Sequence, residues 1–209
     1  MSDPVQLIGE GPAVVWGKSV GKLVDPAEIR TLAAAYGEPR QALYRLQVDE
    51  FLFYTRLQST NNRRGEVGMV LRCGDDAYLL HTKDIYPGVY RLPTGGIHWR
   101  EPVAEALVRE VHEETSLTIH NTRFLAVLGY EFQFGTRVLP FVTYLFYAER
   151  AHGELRADGI EVAEFREVPL AVLGAEADRL RALPAPRVMW GAWRALAHQV
   201  AYEMLSQTT

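Results

Sequence analysis

Trp190, Trp193, Ala197, Val200 and Met204 are three to four positions apart, so the tail from about Pro186 is predicted to be an amphipathic helix. A second helix is predicted from about Pro26 to Tyr36, where Asp25 can accept from the first free amides and Pro26 suits the first turn. A third runs from about Pro102 to Thr115, its proline again confined to the first turn. Between these helices the pattern is that of a sheet. Val67–Arg72, a Cys73–Asp76 turn and Ala77–Lys83 predict a hairpin. Further strands are predicted near Arg123–Tyr130 and Leu139–Arg150, with a turn at Gly135, and at Val162–Val168. The longest apolar stretch, Val138–Ala148, is broken by Pro140 and Thr143 and is too short to cross a bilayer as a helix, so it reads as a buried strand. Strands, helix, strands, helix in that order indicate an α/β or α+β layered fold rather than a bundle.

Before Arg63 the pattern is mixed. A strand is expected at Ala13–Gly17; over Ala42–Leu57 spacing and length favour a helix, although Phe51, Phe53 and Tyr54 also suit a strand. Tyr86–Gly96 is rich in Pro and Gly and reads as a loop.

With 209 residues, 48% of them hydrophobic and 23% charged, the chain can bury one core, and the simplest arrangement is one domain with room for a small appendage. A formal charge of -4 provides no general attraction to nucleic acid or to an anionic membrane, so neither is an expected partner. The Met-Ser-Asp-Pro start lacks the pattern of a secretion signal and Cys73 is the single cysteine, which together predict a reducing, cytoplasmic location. A small anionic substrate would then need a local device, such as a bound metal.

The stretch Pro102–Thr115 carries the candidate chemistry. At about 100° per residue, Ala104, Leu107, Val108 and Val111 gather on a core arc, and Glu110, Glu113 and Glu114 on a neighbouring carboxylate arc. Carboxylates at i, i+3 and i+4 repel by roughly a few tenths of a kcal/mol per pair. A hard dication reverses that sign, because magnesium takes oxygen ligands from carboxylates, waters and phosphates. An isolated Glu-rich helix is ordinarily a solvated face. Here Gly95-Gly96 precede the helix, Glu101 follows Gly95 by six positions, and Arg109 abuts the acidic set. Each alone is ordinary, as a turn, a first-turn charge and a surface ion pair; the joint spacing is not.

That spacing resembles the Nudix box: Gly, five residues, Glu, seven residues, then Arg-Glu-apolar-any-Glu-Glu-any-Gly-apolar. The match runs from Gly95 to Leu117, with Ser116 where the pattern has its last Gly. The resemblance implies a Nudix-type α/β/α sandwich with a mixed central sheet over residues 63–209. Residues 1–62 form an N-terminal extension outside it: an extra layer, a dimerisation element or a specificity module. The implied activity is hydrolysis of the phosphoanhydride bond of a nucleoside diphosphate linked to another moiety, with Mg²⁺ or Mn²⁺ as cofactor. Glu110, Glu113 and Glu114 are the implied metal ligands, Glu110 and Glu114 foremost. Arg109, a cation at any working pH, would hold Glu101 or Glu110. Gly95 and Gly96 would bend the backbone toward the metal site, and with Glu101 and Arg91 form the substrate side. The general base is implied either in the box or on a later loop, where Glu161 is preferred to Glu164; both also suit solvent-facing positions beside a strand.

Arg91 or Arg137 could meet phosphate, and Tyr90, Trp99, Tyr130, Phe132 or Phe134 could stack on a base, although such residues are more often core or surface. His98 and His112 show no zinc spacing and are given no role. The implied partners are a small-molecule diphosphate, as a nucleotide derivative, and a second copy in a homodimer. Two other readings stand beside this one. A nucleotide-binding or regulatory protein of the same fold would usually have lost the box glutamates retained here. An isoprenoid diphosphate isomerase would need a catalytic cysteine, and Cys73 lies in a turn well upstream of the box.

Overall fold

The computed structural model describes residues 4–12, 14–82, 88–157 and 162–207. Two long alternating strands, β6 (Thr118–Phe134) and β7 (Arg137–His152), form the central antiparallel hairpin, closed at Gly135 with a φ of 59°. β7 runs parallel to β3 (Arg63–Gly74), which turns back into β4 (Ala77–Thr82). β4 pairs with the edge strand β8 (Glu164–Val168), and β5 (Thr94–His98) pairs with the first half of β3.

On the far side of β6 the N-terminal segment completes the sheet. β2 (Arg40–Gln47) lies parallel to β6, and β1 (Val5–Glu10) is the antiparallel edge beyond it. The order is β1-β2-β6-β7-β3-β4-β8, with β5 beside β3. Through β1 and β2, the segment before Arg63 therefore shares a sheet with the rest of the chain.

Helices cover both faces. α1 (Gly17–Val20), α2 (Pro26–Tyr36) and α4 (Val103–Thr115) pack on one, where Leu32, Val67, Met69, Leu107, Val111 and Phe146 are buried together. α3 (Glu50–Ser59), α5 (Leu170–Arg181) and α6 (Val188–Ser206) pack on the other, centred on Trp193, whose ring stands edge-on to Phe132 and Phe141 at 5.3 and 5.6 Å. The result is a three-layer α/β/α sandwich with a mixed sheet. Among the described residues no helix is long and apolar enough to cross a membrane.

Several expectations are corrected. Ala42–Leu57 is not one helix: it divides into β2 and α3, because the Asp49 carboxylate accepts the Leu52 amide at 2.8 Å and starts a new helix there. The strand expected at Ala13–Gly17 is absent over Val14–Trp16, and Ala13 lies outside the described residues. Trp16 instead packs on β6, where a Cβ on Gly129 would lie 2.8 Å from its ring. β5 falls partly within the stretch read as a loop, since Gly95 and Gly96 disguise it. Lys83, Tyr86 and Pro87 of the predicted hairpin end and loop lie outside the described residues. β1 and α5 were not anticipated: β1 is a largely exposed edge, and α5 has Gly174 in its interior.

Candidate active site

The buried positions of α4 are Val103, Ala106, Leu107, Glu110, Val111, Glu114 and Thr115. The first six are spaced i, i+3, i+4, i+7, i+8 and i+11, the core stripe of an amphipathic helix. Glu110 and Glu114 thus occupy stripe positions where a purely structural helix would carry Leu or Ala. The arc expected from hydrophobicity is corrected by a rotation: Val108 is 60% exposed and Ala104 only half-buried, while Glu110 and Glu114 retain 9% and 3% exposure. Glu113 remains outside.

Glu110 has room because of Gly95. A Cβ on Gly95 would lie 2.0 Å from the Glu110 carboxyl carbon, so that carboxylate rests on the backbone of β5. The bend expected at Gly95-Gly96 is also corrected, since both lie in the extended strand β5. Glycine is required there for close approach. At Gly96 the position a Cβ would take is covered by the Arg63 guanidinium, 2.9 Å away.

Arg109 ties the segment together. Its Nε and Nη2 donate to the two oxygens of Glu101 at 2.7 and 2.8 Å, and Nη2 also donates to the Gly96 carbonyl at 2.9 Å. Nη1 donates to Glu110 Oε1 and Glu113 Oε2 at 2.8 and 2.9 Å. Glu101 further accepts the His98 amide at 2.8 Å. The Arg109 hydrogen bonds, reinforced by the His98 amide, hold the Glu101 carboxyl below the usual range against the opposing effect of burial. Glu101 in turn is the main reason Arg109 is held as a cation even more firmly than a free guanidinium.

Sequence reading missed His81 on β4, which is fully buried with Nδ1 3.8 Å from Glu114 Oε2. The signal available was a histidine at an inward position among Leu79, Leu80 and Thr82. Arg91 is buried too; its Nη1 donates to the Leu92 carbonyl and to Thr94 Oγ1, each at 2.9 Å. Burial, then Arg194, lowers its pKa to about 9 against the pull of Glu114 and Glu66, which leaves it a cation at neutral pH.

Other candidates fall elsewhere. Tyr130 and Phe132 are core residues against Trp193, which removes them as base-stacking surfaces. Phe134 packs on Phe53 and Tyr54, and Arg137 Nη1 donates to the Tyr54 hydroxyl at 2.6 Å. Trp99 is exposed beside the box. Glu164 is exposed on β8, where its carboxylate bonds the Tyr90 hydroxyl and raises that phenol's pKa. Glu161 lies outside the described residues. Cys73 is at the far end of β3 from the β5 pairing, and burial, then Glu167, pushes its thiol up to about 11.

Ser116 ends α4 in the left-handed region, with φ 61° and ψ 17°. That conformation costs an L-residue roughly 1–2 kcal/mol, opposed in a glycine variant by about 0.5–1 kcal/mol of backbone entropy. Ser116→Gly is therefore expected to stabilise the protein by up to about 1 kcal/mol. Thermal unfolding checks this, and an unchanged or lower Tm would show that Ser116 carries no strain.

Among the described residues, no three His, Cys, Asp or Glu side chains already converge on one possible metal position. Arg109 pairs with Glu110 and Glu113. The donor chemistry nevertheless fits a hard dication: two buried carboxylates and one exposed one, all oxygen donors, with Gly95 leaving space for Glu110.

A family model described as the NUDIX domain matches residues 62–190. The chain is 32% identical over 113 residues to the NAD-capped RNA hydrolase NudC of Stutzerimonas stutzeri (strain A1501); the match covers 54% of this chain and only 36% of that protein. Among solved structures, it is similar to a MutT NUDIX hydrolase from Burkholderia pseudomallei, at 22% identity over 67% of this chain and 95% of the other, with a TM-score of 0.47. It is also similar to the NUDIX domain of Shewanella oneidensis NrtR, complexed with ADP ribose, at 19% identity, 76% and 99% coverage and a TM-score of 0.47.

Proposed function

This chain belongs to the Nudix hydrolase family, and on that premise we propose that it hydrolyses the phosphoanhydride bond of a nucleoside diphosphate linked to a second moiety. Glu110, Glu113 and Glu114 would hold Mg²⁺ or Mn²⁺, which when bound neutralises phosphate charge and acidifies water near neutral pH. The observation that carries this reading is the burial of Glu110 and Glu114 on the core stripe of α4. Taking an ionised carboxylate out of water costs several kcal/mol, roughly, unless charge offsets it. A solvated acidic face needs no such burial, and a helix that only packs would avoid it.

The remaining residues are assigned by what they touch. Arg109 keeps Glu101, Glu110 and Glu113 gathered and fastens them to the Gly96 carbonyl of β5. His81 backs Glu114 from β4, and Arg91 adds a buried cation on the same side. Gly95 keeps the Glu110 carboxylate unobstructed. Gly95→Ala is accordingly expected to displace that carboxylate and weaken Mn²⁺ binding roughly 10–100-fold, the scale for disturbing groups that orient metal ligands. A titration of the folded variant measures this; unchanged affinity would remove Glu110 from the ligand set.

We assign the general base to Glu161. Its support is the resemblance, which implies a base either in the box or on a later segment, and Glu161 follows the box in sequence. Glu161→Gln should lower kcat by about 10²–10⁴-fold, the usual range for general acid–base catalysis, with Mn²⁺ affinity unchanged. A full rate in the variant would return the role to a box glutamate.

NAD-type dinucleotides, ADP-ribose and nucleotide sugars are the first compounds to assay, since a relative is named for hydrolysing NAD-capped RNA. Release of mononucleotide or phosphate would be followed with Mg²⁺, with Mn²⁺ and with EDTA. Cleavage that EDTA abolishes is expected. No cleavage across the panel, with tight nucleotide binding, would favour a binding or regulatory protein instead. The isomerase alternative finds little support in Cys73, the single cysteine, which lies at the far end of β3 from the part that pairs with β5.

A further inference from the structure

α4 begins without a capping side chain of its own. Its N-cap is Pro102, whose side chain has no acceptor to offer the first free amides. The acceptor comes instead from the N-terminal segment: Glu28, in the first turn of α2, takes the Val103 amide on Oε1 at 2.9 Å across 75 positions of sequence. The same carboxylate is gripped by Arg64 of β3, whose Nη2 lies 2.9 Å from both Glu28 oxygens and also donates to the Glu101 carbonyl at 2.9 Å. The Arg64 and Glu28 side chains are only 12% and 19% exposed, so this contact is shielded from competing water.

Three anchors consequently meet at the start of the box helix. α2 supplies an anion where the helix macrodipole is positive. β3 supplies the guanidinium that fixes it. Glu101, held through its carbonyl by Arg64, is held through its carboxylate by Arg109 and so leads directly to Glu110 and Glu113. An α-helix is stiff over this length, so a shift or rotation at Val103 is carried to Glu110 and Glu114, about two and three turns along.

We propose that Glu28, clamped by Arg64, is a positioning residue that makes the N-terminal segment part of the active-site scaffold by setting the seat of the glutamate helix. The inference rests on the hydrolase reading for its effect on rate, but the contact itself is testable without turnover.

The test compares Glu28→Ala and Glu28→Gln with Asp49→Ala, which removes the cap of α3 on the opposite face and serves as a matched control. Amide hydrogen–deuterium exchange followed by mass spectrometry would be read over 101–108 and 109–117. In Glu28→Ala, exchange should quicken in both segments; Glu28→Gln, which keeps an acceptor for Val103 but weakens the grip of Arg64, should fall between it and wild type. Asp49→Ala should lower Tm and leave both segments unchanged. With an active wild type, Glu28→Ala should also lower kcat roughly tenfold to a hundredfold, the scale of a small misplacement of reacting groups, with KM nearly unchanged. Exchange unaltered beyond 101–108 in folded Glu28→Ala, or equal acceleration in Asp49→Ala, would overturn the proposal. Inactive wild type with the expected exchange pattern would instead count against the hydrolase reading and leave the positioning role supported.

Discussion

Glu114→Gln should reduce turnover by about 10²–10³-fold or more, comparable to the loss of one preorganised electrostatic group, while the protein stays folded. The substitution is nearly isosteric, and Glu114 is buried with 3% exposure, so shape and packing are kept. What is lost is one negative charge beside His81 and near Arg91, at the place where the proposed metal would be held. The exposed helix face that the acidic sequence pattern suggests is not where Glu114 lies, and this sharpens the test. Removing an anion from a solvated face changes little, but removing it from a buried ligand set weakens metal binding directly. Steady-state rates should be read with a Mn²⁺ titration and a melting curve. A folded variant with the wild-type rate would overturn the assignment of Glu114.

The largest loss of stability is expected from Arg194→Met. Arg194 Nη1 donates to Glu66 Oε1 at 2.6 Å, Thr143 donates to the same oxygen at 2.9 Å, and the two charged side chains are 9% and 4% exposed. Removing the cation leaves a buried carboxylate uncompensated, which typically costs about 3–5 kcal/mol. Urea unfolding measures it, and a loss below about 1 kcal/mol would show that Arg56 and Arg91 suffice for Glu66.

The same pair sets an acid limit. Burial alone would raise the Glu66 pKa, but Arg194, then Arg56 and Arg91, outweigh it and hold the carboxyl below its usual range. Its contribution is therefore complete above the unfolded value of about 4.3 and is lost as pH falls through the lower folded value. His198, lowered to about 3 by burial first and then by Arg91, acts in the same direction. The unfolded imidazole takes a proton below about pH 6.5 and the folded one does not, so stability declines by about 1.4 kcal/mol per unit as pH falls between the two values. In Arg194→Met the burial effect on Glu66 prevails and lifts its folded pKa above the unfolded one, so the cost is greatest near neutral pH and the stability deficit against wild type should narrow as pH falls.

The box glutamates were legible because their spacing is local and has few accidental equivalents. The rotation of α4 was not. A hydrophobicity pattern assigns carboxylates outward, and it therefore placed Val108 inside and Glu110 and Glu114 outside, the reverse of what is observed. Gly95-Gly96 suggested a bend, whereas the missing side chain serves a contact between strand and helix. His81, Glu28 and Arg64 had no periodicity to reveal them, since each acts through a partner distant in sequence. In the N-terminal half, the helix from Pro26 to Tyr36 was plain from its cap, but β2 and α3 merged into one apolar run until Asp49 was seen to separate them.

The insertion of β2 beside β6 also orders events in time. Arg45 of β2 faces Glu131 of β6, and the two are linked side chain to side chain at 2.8 Å across 86 positions. A chain made at about 5–20 residues per second completes β2 several seconds before its neighbour β6 is made, and β1 can add only to β2. β1 and β2 are thus among the strands that must wait, with apolar positions such as Ala42, Tyr44 and Leu46 uncovered in the meantime. Yield during synthesis should depend on how well that waiting segment is kept from other chains, a burden set by the sheet order and separate from the stability of the finished fold.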